Sequence, residues 1–151
     1  MAVYSMQYQE EIIALIPHRP PFLWVDKIVS CTDDLILTEK HIPDNLEVLK
    51  GHYPGNPIMP GVLLCEAVFQ SAALLMAKMK VTGFSDRQIP VLTRISSAKF
   101  KRVVLPGDTA HIEVKLLESV STACYFKGVL KVEGKTAITV EFACKMVSSE
   151  P

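Results

Sequence analysis

The chain carries no net charge to offer a partner: 16 Lys and Arg residues balance 16 Asp and Glu residues over 151 positions. Nucleic acid and anionic membrane surfaces recruit proteins through an excess of basic charge, so neither is expected as a ligand. The four cysteines, Cys31, Cys65, Cys124 and Cys144, stand far apart, with no CxxC pair and no histidine at zinc-ligand spacing. No metal site is expected, and the thiols read as reduced and mostly buried, as in a cytoplasmic protein. The opening residues MAVYSMQYQEE have neither a basic region nor an apolar core, so no secretory signal is expected. Repeats, low-complexity tracts and linkers are lacking too. The chain fits one domain, 1–151, long enough to bury a core, and an apolar content of 49% argues against disorder.

What the sequence has is a stretch that organises the rest, Gly51 to Lys80, GHYPGNPIMPGVLLCEAVFQSAALLMAKMK. Between Val62 and Ala77 the only clearly polar side chains are Glu66, Gln70 and Ser71. A helix that is apolar on nearly every face must be wrapped by something. Pro60 suits its first turn, where a missing N–H costs nothing, and Met79–Gly83 ends it. About 20 residues give a rod of roughly 30 Å, long enough to raise the question of a membrane span. Glu66 and Gln70 inside the run, Pro60 at its start and the lack of flanking aromatics favour a buried core helix instead.

The remaining elements follow from periodicity and turn residues. Residues 7–16 predict a short amphipathic helix with Ile12, Ile13 and Ile16 on one side, stopped by Pro17-His18-Arg19-Pro20-Pro21. Residues 21–31 and 35–42 predict a hairpin around Asp33-Asp34, and 43–57 a loop. After the helix, Thr82–Gln88 reads as a polar connection and 89–105 as one long or broken strand closed by Pro106-Gly107-Asp108. Strands at 109–118, 122–133 and 136–146 complete the chain, the last two joined at Glu133-Gly134-Lys135. Short connections make the strands antiparallel. A single long apolar helix and one such sheet predict an α+β hot-dog architecture, the sheet curled around the helix. The helix's far side and the sheet edge then call for a two-fold dimer.

Three features of the central stretch carry chemistry. His52 sits in a loop stiffened by Pro54, Gly55, Pro57 and Pro60, and histidine suits general base work near neutral pH. Glu66 lies where a buried helix would prefer leucine, and burial would raise its pKa and favour a protonated acid. Alone, Glu66 reads equally well as a carboxylate paired with a buried arginine or a backbone donor, and His52 as a structural loop residue. The helix start adds the N–H groups of Gly61 and Val62, which lack intrahelical partners at the positive end of the helix dipole. A carbonyl placed there is polarised, so the set points to proton abstraction next to a carbonyl. No Ser or Cys nucleophile is presented with a base partner. His18, His41 and His111 carry no catalytic expectation, and His18 reads as fixing the entry loop.

HYPGNPIMPGVLLCEAVFQ resembles the active-site signature of the (3R)-3-hydroxyacyl-acyl-carrier-protein dehydratases of dissociated fatty acid synthesis. PHRPPFLWVDKI and AKFKRVVLPGD resemble that family's other two signatures, in the same order, and the likeness spans residues 10 to 147. The resemblance implies His52 and Glu66 as catalytic residues from opposite subunits of a dimer. It implies a thioester oxygen held at Gly61, with Pro60, Val62 and Gln70 completing the substrate-binding set. It also implies an acyl carrier protein as partner, no cofactor, and a trimer of dimers. Glu66 stands where the related dehydratase-isomerases carry Asp. Departures from the pattern are Phe69, where a small residue is usual, Ser96 and Ser97, and the stretch at Val91 and Leu92. Arg19, Lys99, Lys101 and Arg102 read either as a solvated face or as a basic patch for an acidic carrier. A hot-dog thioesterase and a non-catalytic acyl-binding subunit are the competing expectations.

Overall fold

The computed structural model describes residues 2–79 and 87–149, with side chains from Tyr8 onward. Helix α1 (Ala2–Leu15) is followed by strands β1 (Lys27–Cys31) and β2 (Leu35–His41). A short helix α2 (Glu47–Gly51) leads to the long α3 (Gly61–Met79). Strands β3 (Gln88–Phe100), β4 (Thr109–Val120), β5 (Ala123–Val132) and β6 (Lys135–Ser148) end the chain. All six strands form one antiparallel sheet in the order β1-β2-β4-β5-β6-β3, so α3 carries the chain from one side of the sheet to the far edge.

The hot-dog expectation holds because α3 offers the sheet an apolar surface along its length. Leu64, Val68, Ala72, Leu74, Leu75 and Met76 are buried, against Ile36, Ile112, Val114, Phe126, Leu130, Ile138 and Val140 from the strands. Although α3 is long and apolar enough to cross a membrane, 61% of its most apolar window is buried inside the fold. Close approach of β5 to α3 depends on Gly128, where an added Cβ would overlap Val68 Cγ1. The buried hydroxyls are satisfied locally: Ser71 Oγ donates to Ala67 O at 2.8 Å, so Thr38 Oγ1 is the donor in the 2.7 Å contact with Ser71. At the β5–β6 hairpin, Val132 pairs with Lys135 across Glu133 and Gly134, whose φ values of 50° and 74° give the twist of a tight two-residue turn.

Several boundaries differ from expectation. Helix α1 begins at Ala2 rather than residue 7; Ile12 and Ile16 are buried as expected, and Ile13 is half-buried. Strand β1 begins at Lys27, not 21, because the main chain at Phe22 and Trp24 is bonded to the Gln70 side chain instead of a neighbouring strand. The 43–57 loop contains α2, which buries Leu49. Strand β3 stops at Phe100, not 105: the N–H groups of Lys101 and Arg102 both turn to Ala137 O, and Val104 O accepts from Met59 N at 2.8 Å. Most of the Thr82–Gln88 connection and the expected helix stop at Gly83 lie outside the described residues.

Candidate active site

The loop before α3 places His52 beside the helix start. His52 Nδ1 lies 2.8 Å from Ile58 O, and a carbonyl only accepts, so the proton of the neutral ring sits on Nδ1 and Nε2 is the basic nitrogen. Tyr53, held at a left-handed φ of 59°, tilts its ring over the imidazole with centroids 4.5 Å apart. Both rings line a cavity of about 400 Å³ together with Pro60, Gly61, Val62 and Arg102. Helix formation from Pro60 onward uses Pro60 O twice, accepting from Leu63 N and Leu64 N at 3.1 Å. Among the described residues, no acceptor in the chain takes the N–H of Gly61 or Val62. They are free at the positive end of the helix, as a carbonyl-binding role requires. Gly61 is also fixed by packing, since a Cβ there would meet Phe100 Cε1 at 2.8 Å.

Glu66 lies five residues further along α3, and its side chain is 22% exposed, so the expected burial of the carboxylate is only partial. Glu66 Oε1 accepts from Gln70 Nε2 at 3.1 Å, one turn on. Gln70 is itself fully used: its Oε1 accepts from Trp24 N at 2.7 Å, and its Nε2 also donates to Phe22 O at 2.9 Å. His18 joins this group, with its Nε2 3.7 Å from Glu66 Oε1. Burial lowers the His18 pKa below the ordinary histidine value, against the raising effect of Glu66. Nothing in the spacing of the sequence pointed to this contact. It depends on the entry loop folding back across α3.

Within one chain, the two principal residues are therefore not brought together. No hydrogen bond or ion pair joins His52 to Glu66, and Glu66 does not line the His52 cavity. Gln70 stands with Glu66, whereas Pro60, Gly61 and Val62 stand with His52. Arg102 lines that same cavity, and Lys99 and Lys101 are exposed close by in sequence. The Arg19 guanidinium bonds the carbonyls of Ile13, Ile16 and His18 at 2.7–3.0 Å, capping α1 and bracing the entry loop. Phe69 packs edge-on against Phe142, with centroids 4.7 Å apart. Among the described residues, no group of three or more His, Cys, Asp or Glu side chains could hold a metal ion. A larger cavity, about 610 Å³, is lined by the entry loop with Tyr8, Lys40 and Leu46 and includes none of these site residues.

A family model for the FabA-like domain matches residues 16–141. The chain belongs to the FabA-like family. Among the relatives of this FabA-like chain is a 3-hydroxyacyl-[acyl-carrier-protein] dehydratase FabZ of Caulobacter vibrioides, 40% identical over 93% of this chain and 89% of that protein. The FabZ of Proteus mirabilis is 39% identical over 89% of this chain and 90% of its own. Of solved structures, one from the dehydratase heterocomplex ApeI:P of Xenorhabdus doucetiae superposes with a TM-score of 0.77 at 15% identity, covering 91% of both chains. A hypothetical thioesterase with coenzyme A from Streptococcus pneumoniae gives 0.64 at 12% identity, covering 95% of this chain and 96% of its own. At these identities the structural likeness establishes the hot-dog fold.

Proposed function

We propose that this chain dehydrates (3R)-3-hydroxyacyl-acyl carrier protein to the trans-2-enoyl form, without a cofactor, in fatty acid elongation in the cytoplasm. The observation that carries this reading is the His52 tautomer: the Ile58 carbonyl holds the ring with Nε2 as its base, in a cavity shared with Gly61 at a free helix N-terminus. The thioester oxygen binds at the Gly61 N–H, which acidifies the C2 proton. His52 Nε2 takes that proton, the C2–C3 double bond forms, and the C3 hydroxyl leaves as water with a proton donated by Glu66. The enoyl product keeps its thioester, and base and acid are reset by exchange with solvent.

Because His52 and Glu66 are separate within one chain, the complete site takes Glu66 from the second copy of a dimer. Exposed apolar residues on and beside edge strand β3 support that assembly: Ile95 is 49% exposed, Phe100 57% and Val103 62%, with Val62 of α3 at 74%. Three such dimers make the hexamer, and Lys99, Lys101 and Arg102, with Arg19 at the entry loop, form the basic patch that meets the acidic carrier.

Purified protein should hydrate a crotonyl thioester, seen as loss of enoyl absorbance without release of free thiol. Thiol release alone would favour a thioesterase, and neither signal a binding subunit. Mixing inactive His52→Ala and Glu66→Gln subunits should restore activity. If mass measurement confirms subunit exchange and no activity returns, the shared site is wrong.

A further inference from the structure

The entry loop brings a second histidine to the acid, and the reaction proposed above gives it no task. The two groups beside Glu66 meet the same oxygen. Trp24 N–H can only donate, so the Gln70 atom it meets must be the carbonyl oxygen, and Nε2 is the end turned toward Phe22 O and Glu66. Glu66 Oε1 is therefore held as an acceptor. His18 Nε2 faces this same Oε1 at 3.7 Å. The other ring nitrogen, Nδ1, is buried without a hydrogen-bond partner. A proton there would be an unpaired buried donor, so the single proton of the neutral ring belongs on Nε2, toward Glu66. Burial, helped by the neighbouring Arg19, lowers the His18 pKa against the raising effect of Glu66. The loop that carries it is braced at both ends, by Arg19 on the carbonyls of Ile13, Ile16 and His18 and by Asp26 N donating to Glu39 O at 2.8 Å.

We propose that His18 is a positioning residue for Glu66: with Gln70 it directs two N–H groups at Oε1 and leaves Oε2 as the oxygen that delivers the proton. The proposal rests on the dehydratase reading. When the proton passes from Oε2 to the departing C3 hydroxyl, a negative charge develops on the carboxylate, and both N–H groups already face it. His18 exchanges no proton in the step. It favours the charged state that the acid reaches only as the C–O bond breaks, so its removal lowers kcat rather than weakening substrate binding.

The test compares His18→Phe, which keeps a ring and removes the N–H, with His18→Gln, which restores an N–H on a flexible chain. Both are assayed with a 3-hydroxybutyryl thioester beside wild type, and folding is followed by circular dichroism. Loss of an N–H that faces a developing charge at 3.7 Å predicts that kcat falls roughly tenfold in His18→Phe, with KM within about twofold. His18→Gln should recover a substantial part of the loss. An active wild type with unchanged kcat in His18→Phe overturns the proposal, as does a loss confined to KM or an equal loss in both variants. Should His18→Phe fail to fold, His18→Ala against His18→Gln makes the same comparison. An inactive wild type would instead count against the dehydratase reading.

Discussion

Replacing Gln70 by leucine removes the side chain on which the entry loop and the acid both depend. Gln70 is 1% exposed and makes three hydrogen bonds, to Trp24 N, Phe22 O and Glu66 Oε1. Leucine approximates its volume, so the change leaves little cavity and isolates the polar effect. The Trp24 N–H and the Phe22 carbonyl lose their partner, at about 1–3 kcal/mol each. Burying the leucine in place of the amide returns roughly 1.5–3 kcal/mol, which leaves a net destabilisation of about 2 kcal/mol. In a chain of this size that lowers the unfolding midpoint by roughly 4–8 °C. Glu66 Oε1 loses its donor at the same time, and a hydrogen bond to a charged group is worth about 1.5–3 kcal/mol, so kcat should fall roughly ten- to a hundredfold. Thermal unfolding followed by circular dichroism and hydration of a crotonyl thioester measure the two effects separately. A leucine variant with unchanged midpoint and unchanged kcat would refute the reasoning, because the amide would then hold neither loop nor acid.

Gly128→Ala forces a methyl group into Val68 and should cost about 1–3 kcal/mol by overpacking, with recovery in the Gly128→Ala/Val68→Ala double variant; additive losses in urea unfolding would show that the two positions do not clash. Burial lowers the His18 pKa in the folded chain, so below 6.5 the unfolded chain takes up a proton first. The stability contributed by a neutral His18 is complete above that pH and is lost as pH falls toward the folded value; unfolding at pH 7.5 and pH 5.5 should show a fall that shrinks in His18→Gln, and an identical fall in both proteins would contradict it. Charge reversal at Lys99 and Lys101 should raise KM for a carrier-bound substrate about tenfold, from roughly 0.5–1 kcal/mol per lost surface pair, and leave short synthetic thioesters unaffected. Equal losses on both substrates would mark the two lysines as structural.

What could be read from the sequence was whatever depends on neighbours along the chain. The apolar run from Val62 to Met76 specified a core helix, and the alternation in 109–118 and 136–146 specified half-buried strands, because the inward residues recur at the strand period. His52 and Gly61 share a cavity through one short proline-rich loop, so their proximity could also be inferred. The Glu66 cluster was only partly legible. Gln70 is one helical turn from Glu66 and was foreseen, but His18 and the main chain of Phe22 and Trp24 arrive from the other end of the hairpin. The residues at 21–26 carry strand-like composition, yet the Trp24 N–H and the Phe22 carbonyl both bond the Gln70 side chain. Their backbone groups had found a side-chain amide instead of a ladder, a choice that only the packed helix reveals.

The strand order has a consequence for how the molecule is made. Strand β3 forms the far edge of the sheet and pairs with β6, the last of the six described strands in chain order. Until residues 135–148 have left the ribosome, β3 has no strand to pair with in this sheet, and that flank of the oily rod α3 stays unwrapped. During that interval only the strands already made are available to cover α3, and its distant partners still have to meet. Shortening β6 by a few residues thus takes away the clasp that closes the wrapper.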